Sequence, residues 1–377
     1  MAYTVGRSQR PTQFFHSGSG FGALLLYGLR AYTALPMKLA TYKDGSRDGQ
    51  LLVVSRDLRL AHYATGIASR MQQVLDDWGF MAPQLQDLYH QLNTGRAPHA
   101  FAFDPMQCLA PLPRTAQWVE AAAYPSHLQL TYPQWPLGTT EPVVRQGAGD
   151  SLMGACDEVV IGSAAMGIDF GAGLTAITGD IPMGSTPEQA LYGVRLMMLS
   201  NTLCLRQLMS DAAGQAWSHV QSWPGVGLSP VAVTLDELGD AWRNGRVHLP
   251  LHTSCNGRKV GMCEAGEDMA FHFGQLIAHV AKTRTVHAGT LVGTGVVSNQ
   301  GTATGKGQAQ RMDWPRGYHC IAEKRAMEIQ QSGAASTGYL QFGDTVRIEM
   351  KSKDGQSIFG AIDQTIVSPQ GDGSSEV

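Results

Sequence analysis

Apolar and polar residues follow two different spacings in the first third of the chain. Over residues 37–56 they alternate around a Lys-Asp-Gly-Ser turn, which predicts a β-hairpin. Over residues 66–93 apolar residues instead recur every three to four positions, as on the buried face of a helix. Gly79 and Pro83 divide this second segment, so we expect two helical pieces. We therefore predict a small N-terminal α+β domain spanning residues 37–120.

Beyond residue 121 the pattern changes to short apolar runs separated by turns, which predicts a β-rich second domain over residues 121–370. Ser185–Glu188 carries a hydroxyl, a proline and an acid in the order that starts a helix. The apolar residues that follow, up to Met198, are expected to continue that helix inside the core. Residues 346–359 carry two strand-like runs around an Asp-Gly turn, which is typical of a hairpin.

The two ends of the chain differ from the rest. Residues 1–36 contain three arginines and no acid, and a second methionine, Met37, opens the first predicted strand. We expect residues 1–36 to be an extension from an upstream start codon that is not part of the fold, so that the folded protein begins at Met37. Residues 371–377 are expected to form a tail.

Composition excludes several classes of protein. With 28 basic and 31 acidic residues the net charge is −3, which gives no electrostatic basis for nucleic-acid binding. A hydrophobic content of 43% argues against disorder, and no apolar run approaches the ~20 residues of a membrane span. The six cysteines are widely spread without a C-x-x-C pair, which predicts reduced thiols in a cytoplasmic protein. Charged residues are only 16% of the chain, against roughly 25% in an average protein.

Several short motifs, in order along the chain, resemble the fumarylacetoacetate hydrolase (fumarylacetoacetase) family, and in particular bacterial members with a short N-terminal domain. The resemblance covers roughly residues 37–367. The motifs that carry it are Gly167–Gly173, Asp180–Ser185, Ser200–Arg206, Cys320–Arg325, Phe342–Asp344 and Phe359–Asp363.

The resemblance implies an α+β fold, in which a mixed β-sandwich roll follows the small N-terminal domain, and it implies a homodimer. Members of the family bind Mg²⁺, Ca²⁺ or Mn²⁺ through acidic residues, and they cleave, decarboxylate or isomerise β-diketo acids and related keto acids. This chemistry is physically sensible, because a hard cation binds carboxylate oxygens and stabilises the enolate released when a 1,3-dicarbonyl is cleaved.

This sequence departs from the family pattern at the metal site. The resemblance implies that the positions of the carboxylate ligands are occupied here by four residues without a carboxylate, namely Ser151, Gly171, Gly173 and Thr202. It also implies that Trp223 stands in the place of an active-site lysine, whereas Arg206 matches the family. We therefore predict that no divalent metal is bound and that the pocket is less charged and more apolar. Arg206, Trp223 and Tyr192 are the residues expected to line it.

The sequence leaves the activity open. The protein is predicted to be a diverged relative without the metal site, acting either as a metal-independent enzyme or as a pseudoenzyme that binds a small molecule. A keto acid or an aromatic compound is the expected ligand. One alternative is an active hydrolase of C–C bonds whose Mg²⁺ or Ca²⁺ is held by recruited acids such as Asp150, Asp169 and Asp180. Another is an inactive structural subunit that assembles with an active relative.

Overall fold

A computed structural model describes residues 36–133, 140–211, 220–304 and 311–369. The predicted extension lies outside these ranges except for its last residue, Pro36. The predicted tail, residues 371–377, also lies outside them. All six cysteines are unpaired. Within the described ranges, every helix is too short or too polar to cross a lipid bilayer.

The secondary structure is dominated by strands, with short helices between them. The strands are β1 Lys38–Tyr42, β2 Gln50–Val54, β3 Leu60–Tyr63, β4 Phe101–Ala102, β5 Trp118–Ala121, β6 Val144–Gly147, β7 Leu152–Met153, β8 Val159–Val160, β9 Ile168–Asp169, β10 Ala172–Thr178, β11 Val194–Thr202, β12 Cys204–Leu205, β13 Val226–Leu228, β14 Ala232–Val233, β15 Trp242–Arg243, β16 Arg246–Val247, β17 Pro250–Cys255, β18 Arg258–Glu264, β19 Leu291–Gly293, β20 Thr302–Thr304, β21 Arg311–Asp313, β22 Thr345–Lys351 and β23 Ser357–Val367. The α-helices are α1 Met71–Asp76, α2 Trp78–Asn93, α3 Pro125–Thr131, α4 Pro187–Tyr192, α5 Arg206–Asp211, α6 Leu235–Leu238, α7 Phe273–Ala281 and α8 Ile321–Ser332.

One large sheet runs through most of the described chain. Its strands lie in the order β4-β3-β2-β1-β14-β11-β10-β19-β5-β6, with β13 and β7 attached beside β11. Strands β1 to β4 come from the predicted N-terminal domain, yet β1 pairs directly with β14 of the second domain. The side chain of Lys38 on β1 is buried, and its Nζ donates to the carbonyl of Ile358 on β23 at 2.5 Å.

The two predicted helices over residues 66–93 are confirmed, but they are divided at another place. The break falls at Asp77, between α1 and α2. Pro83 lies inside α2, where Ala82 and Leu85 are buried against the sheet. Tertiary packing of this apolar face therefore outweighs the cost of a proline within a helix.

The prediction of a long buried helix after residue 185 was wrong. Helix α4 does begin as predicted, with the Thr186 hydroxyl accepting from the backbone N–H of Gln189, but it ends at Tyr192. The apolar residues from Val194 onward form strand β11, which is almost completely buried. A strand buried on both faces carries no alternation of polar residues, so its pattern cannot be told from that of a buried helix.

A second sheet, in the order β18-β17-β22-β23-β8, packs against the large one through β23, which contacts β11, β13 and β14. The predicted hairpin over residues 346–359 is confirmed as β22 and β23. Asn201 of β11 joins the two layers, because its side-chain amide donates to Gln364 of β23 at 3.0 Å. The architecture is therefore mixed α+β, with a small N-terminal lobe and a large mixed sheet, as predicted.

Candidate functional site

A cavity of about 410 Å³ lies at one end of five adjacent strands of the large sheet, namely β11, β10, β19, β5 and β6. Helices α3 and α5 contribute to its other walls. Most of the lining side chains are apolar, among them Leu128, Val143, Val144, Phe170, Met209 and Val296. A smaller number of polar and charged side chains face the same space.

Glycines lie at and beside the floor of the cavity, where Gly171 and Gly295 line it. Gly171 precedes β10 and Gly173 lies within it, so that both face the same side of the strand. A Cβ atom on Gly171 would lie 2.9 Å from the carbonyl oxygen of Thr202, and a Cβ atom on Gly173 would overlap the carbonyl oxygen of Gly295. Gly295 itself has φ of +75°. The backbones approach so closely here that carboxylate side chains have no room unless a strand moves.

Thr202 contacts an acid that comes from another strand. Its hydroxyl donates to Oε1 of Glu120 at 2.5 Å. The other oxygen of Glu120 accepts from Nη2 of Arg145, which lies directly opposite Glu120 in the pairing of β5 with β6. The guanidinium of Arg145 stacks on the ring of Trp223, 3.5 Å from its centre. Glu120, Arg145, Thr202 and Trp223 therefore form one connected group, which we call the arginine cluster.

On another wall of the cavity His127 lines the space and pairs with a buried carboxylate that does not line it. Nδ1 of His127, on α3, is 2.9 Å from Oε1 of Glu323, on α8. Glu323 is 1% exposed, and its second oxygen accepts from the backbone N–H of His319. Burial raises the pKa of the Glu323 carboxyl, but the hydrogen bonds from His127 and His319 outweigh burial and hold it below its usual value. Glu323 is therefore ionised, and it accepts a hydrogen bond from Nδ1–H of His127.

Arg206 joins the cavity to helix α8. Its Nε donates to the fully buried carboxylate of Asp169 at 2.9 Å, and its Nη1 donates to the hydroxyl of Tyr132 at 3.2 Å. Asp169 also accepts from the backbone N–H groups of Ile321 and Ala322 at the start of α8. The carboxylate thus satisfies backbone donors at a helix N-terminus and pairs with a buried guanidinium at the same time.

Of the residues predicted to line the pocket, Arg206 and Trp223 do line the cavity and Tyr192 does not. Tyr192 is the last residue of the short helix α4 and is 75% exposed, because β11 begins two residues later and leads the chain back into the core. Of the four former ligand positions, Gly171 and Thr202 line the cavity, whereas Gly173 and Ser151 are not among its lining residues. The carbonyl of Ser151 accepts from Val226 on β13. The geometry therefore does not support Ser151 as the first ligand position.

The acids considered as recruited metal ligands are not brought together. Asp169 is engaged by Arg206 and α8, Asp180 accepts from the backbone of Ala288 near the surface, and Asp150 is exposed. Among the described residues, the group of His, Cys, Asp or Glu side chains close enough to share an ion is His127, Cys320 and Glu323, within 4.8 Å of one another. Burial raises the pKa of the Cys320 thiol well above its usual value, and Nη2 of Arg206 lies 3.9 Å from its sulfur.

Sequence reasoning missed Glu120, Arg145, His127 and Glu323. One signal was available for Glu120, because it is an isolated acid within an apolar segment, and a buried charge requires a partner. The partners themselves carry no signal in the sequence, since Glu120 and Thr202 are 82 positions apart and His127 and Glu323 are 196 positions apart.

Two family models match the chain. Residues 37–114 match the fumarylacetoacetase N-terminal domain 2, and residues 117–367 match the fumarylacetoacetate (FAA) hydrolase C-terminal domain. A similar curated protein is 2,4-didehydro-3-deoxy-L-rhamnonate hydrolase of Sphingomonas sp. (strain SKA58), 29% identical over 160 residues. That match covers 41% of this chain and only about half, 53%, of the relative.

Solved structures of low sequence identity share the fold. Fumarylacetoacetate hydrolase from psychrophilic Exiguobacterium antarcticum has 18% identity and a TM-score of 0.58, covering 88% of this chain and 99% of that one. Maleylpyruvate hydrolase from Sphingobium sp. SYK-6, in complex with manganese(II) and pyruvate, has 15% identity and a TM-score of 0.57 with the same coverage. 2-Hydroxyhepta-2,4-diene-1,7-dioate isomerase from Mycobacterium marinum has 14% identity, a TM-score of 0.53 and again the same coverage.

Proposed function

Because the chain belongs to the fumarylacetoacetate hydrolase family, we propose that it binds a small organic acid in this cavity and transforms it without a divalent cation. The observation that carries this proposal is the ion pair between Glu120 and Arg145. Hydrolases and isomerases among the relatives support a reaction in which a proton is moved at a carbon beside a carbonyl or at a water.

The cavity does not fit a hard divalent cation. Such a cation is bound by several carboxylate oxygens at once. On the strands that form the floor, Glu120 is the acid that faces Thr202, and both of its oxygens are already engaged, one by Thr202 and one by Arg145. A cation placed on Glu120 would also lie beside the guanidinium, whose charge repels it in this poorly solvated space. The proposed reaction therefore uses no divalent cation.

The His127–Glu323 pair supplies the proton-transfer group. Because Nδ1–H donates to the ionised Glu323, the tautomer of His127 that acts as a base carries its lone pair on Nε2. In the proposed step, Nε2 takes a proton from the carbon beside the substrate carbonyl or from a water molecule. In isomerisation the electron pair of the broken C–H bond forms the enolate, which takes the proton back from Nε2 at another carbon. In hydrolysis the hydroxide adds to the carbonyl carbon, the neighbouring C–C bond breaks, and the carbanion released takes the proton from Nε2. In both cases Glu323 stabilises the intervening imidazolium.

The experiment compares turnover with and without metal. Purified protein is treated with a chelator, analysed for Mg, Ca, Mn and Zn, and assayed on a panel of acylpyruvates and 2-keto acids. We expect product to form at the same rate in chelator as in buffer with Mn²⁺, because no step requires the cation. Turnover that stops in chelator and returns with Mn²⁺ or Zn²⁺ contradicts the proposal. A return with Zn²⁺ alone would place the ion at His127, Cys320 and Glu323.

A second candidate function is binding without turnover, which the apolar lining and the complete pairing of acids in the cavity favour. Under this second function, a keto acid should bind to the protein in the presence of chelator and be recovered unchanged. The homodimer implied by the family stays a prediction, and native mass spectrometry of the protein from its own cells tests it, together with assembly on an active relative.

A further inference from the structure

The guanidinium of Arg145 is held in the cavity by groups on three sides. Glu120 on the neighbouring strand β5 fixes Nη2, Trp223 covers one face, and the ring centre of Trp118, also on β5, lies 5.6 Å from the guanidinium carbon. From this geometry we propose that Arg145 binds the carboxylate of the substrate and supplies the positive charge that a divalent cation would otherwise supply. The ligand class is a short carboxylic acid, such as a 2-keto acid, with an apolar or aromatic remainder. This inference rests on the proposed function.

The position of Arg145 is fixed before any ligand arrives. Glu120 cannot turn away, because its second oxygen accepts from Thr202. Arg145 lies directly opposite Glu120 in the strand pairing, so the ion pair is set by the register of β5 and β6. A guanidinium that is already ordered loses little conformational entropy on binding an anion.

Arg145 also keeps donor capacity for a ligand. A guanidinium has five N–H donors in a planar fork that matches a carboxylate. Its Nη1 is buried and has no hydrogen-bond partner among the described residues, whereas the side chain as a whole is 26% exposed and lines the cavity. An unpaired buried donor costs about 1–3 kcal/mol, so an acceptor that reaches it is favoured.

The other charges around the cavity favour an anion with an apolar body. The acids near it are already paired, Glu323 with His127 and Asp169 with Arg206, so an entering carboxylate meets no free acid among the described residues. Apolar walls lower the local dielectric and strengthen the attraction between the guanidinium and the anion. The side chains available to cover the remainder of the ligand are Leu128, Val143, Phe170, Met209 and Val296.

Titration calorimetry in chelator-treated buffer tests the inference with two probes, phenylpyruvate and phenylacetone, which has the same body without the carboxylate. We expect Arg145→Met to weaken the binding of phenylpyruvate by about tenfold or more, as for loss of a hydrogen bond to a charged group. The affinity for phenylacetone should be unchanged. Arg145→Lys keeps the charge but loses the planar fork, so a smaller loss is expected. The matched control is Arg258→Met, an exposed arginine on β18, which should bind both probes as the unmodified protein does.

The outcomes separate this inference from the proposed function. Unchanged phenylpyruvate affinity in a folded Arg145→Met protein overturns the role of Arg145 and leaves metal-independent function standing. Phenylpyruvate binding that requires Mn²⁺ overturns the proposed function as well. If the unmodified protein binds neither phenylpyruvate nor pyruvate under either condition, the ligand class is wrong. Should Arg145→Met fail to fold, unchanged affinity in Arg145→Lys overturns the inference and a loss confined to the carboxylate probe supports it.

Discussion

The carbonyl oxygen of Gly295 occupies the space that a Cβ atom on Gly173 would need. We expect Gly173→Ala to destabilise the protein by about 1–3 kcal/mol, the usual cost of overpacking a well-packed core. The matched control is Gly338→Ala, since a Cβ atom there meets nothing within 4 Å. Urea unfolding of the two variants measures the difference. Equal stability would show that the strands at the cavity floor separate easily and that a side chain fits there.

Two substitutions in the arginine cluster should create a cation site. Thr202→Asp places a second carboxylate beside Glu120, and Arg145→Met removes the guanidinium that pairs with Glu120. We expect the double variant to bind Mn²⁺ in calorimetry more tightly than the unmodified protein, because two unpaired carboxylates then face one space.

The control for this experiment is the pair Thr202→Asn with Arg145→Met, which has the same shape without the second charge. It should gain little Mn²⁺ affinity. Equal Mn²⁺ binding by both double variants would mean that the cation does not lie between residues 120 and 202.

The proton-transfer pair predicts a shared effect on turnover. His127→Gln and Glu323→Gln should each lower kcat by about 100-fold or more, the range expected for loss of a general base. The two substitutions together should cost about as much as His127→Gln alone, because the residues act as one unit. Tyr192→Ala is the control, since its exposed side chain lies outside the cavity. If Glu323→Gln retained full activity, the ionised partner would not be needed to orient the imidazole.

Removing the charge of Asp169 should have a large effect on stability. Asp169→Asn leaves Arg206 buried without its counter-charge, so the free energy of unfolding should fall by about 3–5 kcal/mol. Asp87→Asn, on the exposed side of α2, should change it by less than about 0.5 kcal/mol. Denaturant unfolding measures both. An unaltered unfolding midpoint in Asp169→Asn would contradict the assignment of a structural ion pair to these residues.

Because of the buried His319, we expect the free energy of unfolding to decrease in acid. Burial lowers its pKa to about 4, although the charge of Glu323 opposes this, and the neutral ring donates from Nδ1 to Thr253 and accepts at Nε2 from the backbone N–H of Cys263. Between the unfolded pKa near 6.5 and the folded value, the unfolded chain binds the extra proton. Stability should therefore fall as pH decreases through this window, by at most about 1.4 kcal/mol per pH unit.

The measurement is the unfolding free energy from pH 7 to pH 4 for the unmodified protein and for His319→Gln. The difference between the two curves isolates His319, because both proteins retain Glu323. His287→Gln, at an exposed histidine, is the control and should follow the unmodified curve. Parallel curves for His319→Gln and the unmodified protein would contradict the lowered pKa.

The sequence predicted the fold from motifs but only part of the site. Gly171, Thr202 and Trp223 come together at the cavity because they lie just before β10, at the end of β11 and just before β13 of the same sheet. Arg206 follows β12, which pairs with β9 in a separate two-stranded sheet. A motif preserves these local relationships. The pairs of Glu120 with Arg145 and of His127 with Glu323 depend on strand register and helix packing, which no local pattern records. Strand β11 was mistaken for a helix for the same reason, since its burial on both faces is a property of its neighbours.

The pairing of β1 with β14, together with the buried Lys38 beside β23, has a consequence for how this chain can evolve. The N-terminal lobe is hydrogen-bonded into the sheet that forms the cavity floor, so it cannot be exchanged as an independent module between relatives. A recombination event that replaced residues 37–114 would have to bring a strand with matching register and a group able to reach the carbonyl of Ile358. We therefore expect a change of substrate in such a chain to require substitutions at the cavity rather than exchange of the N-terminal lobe.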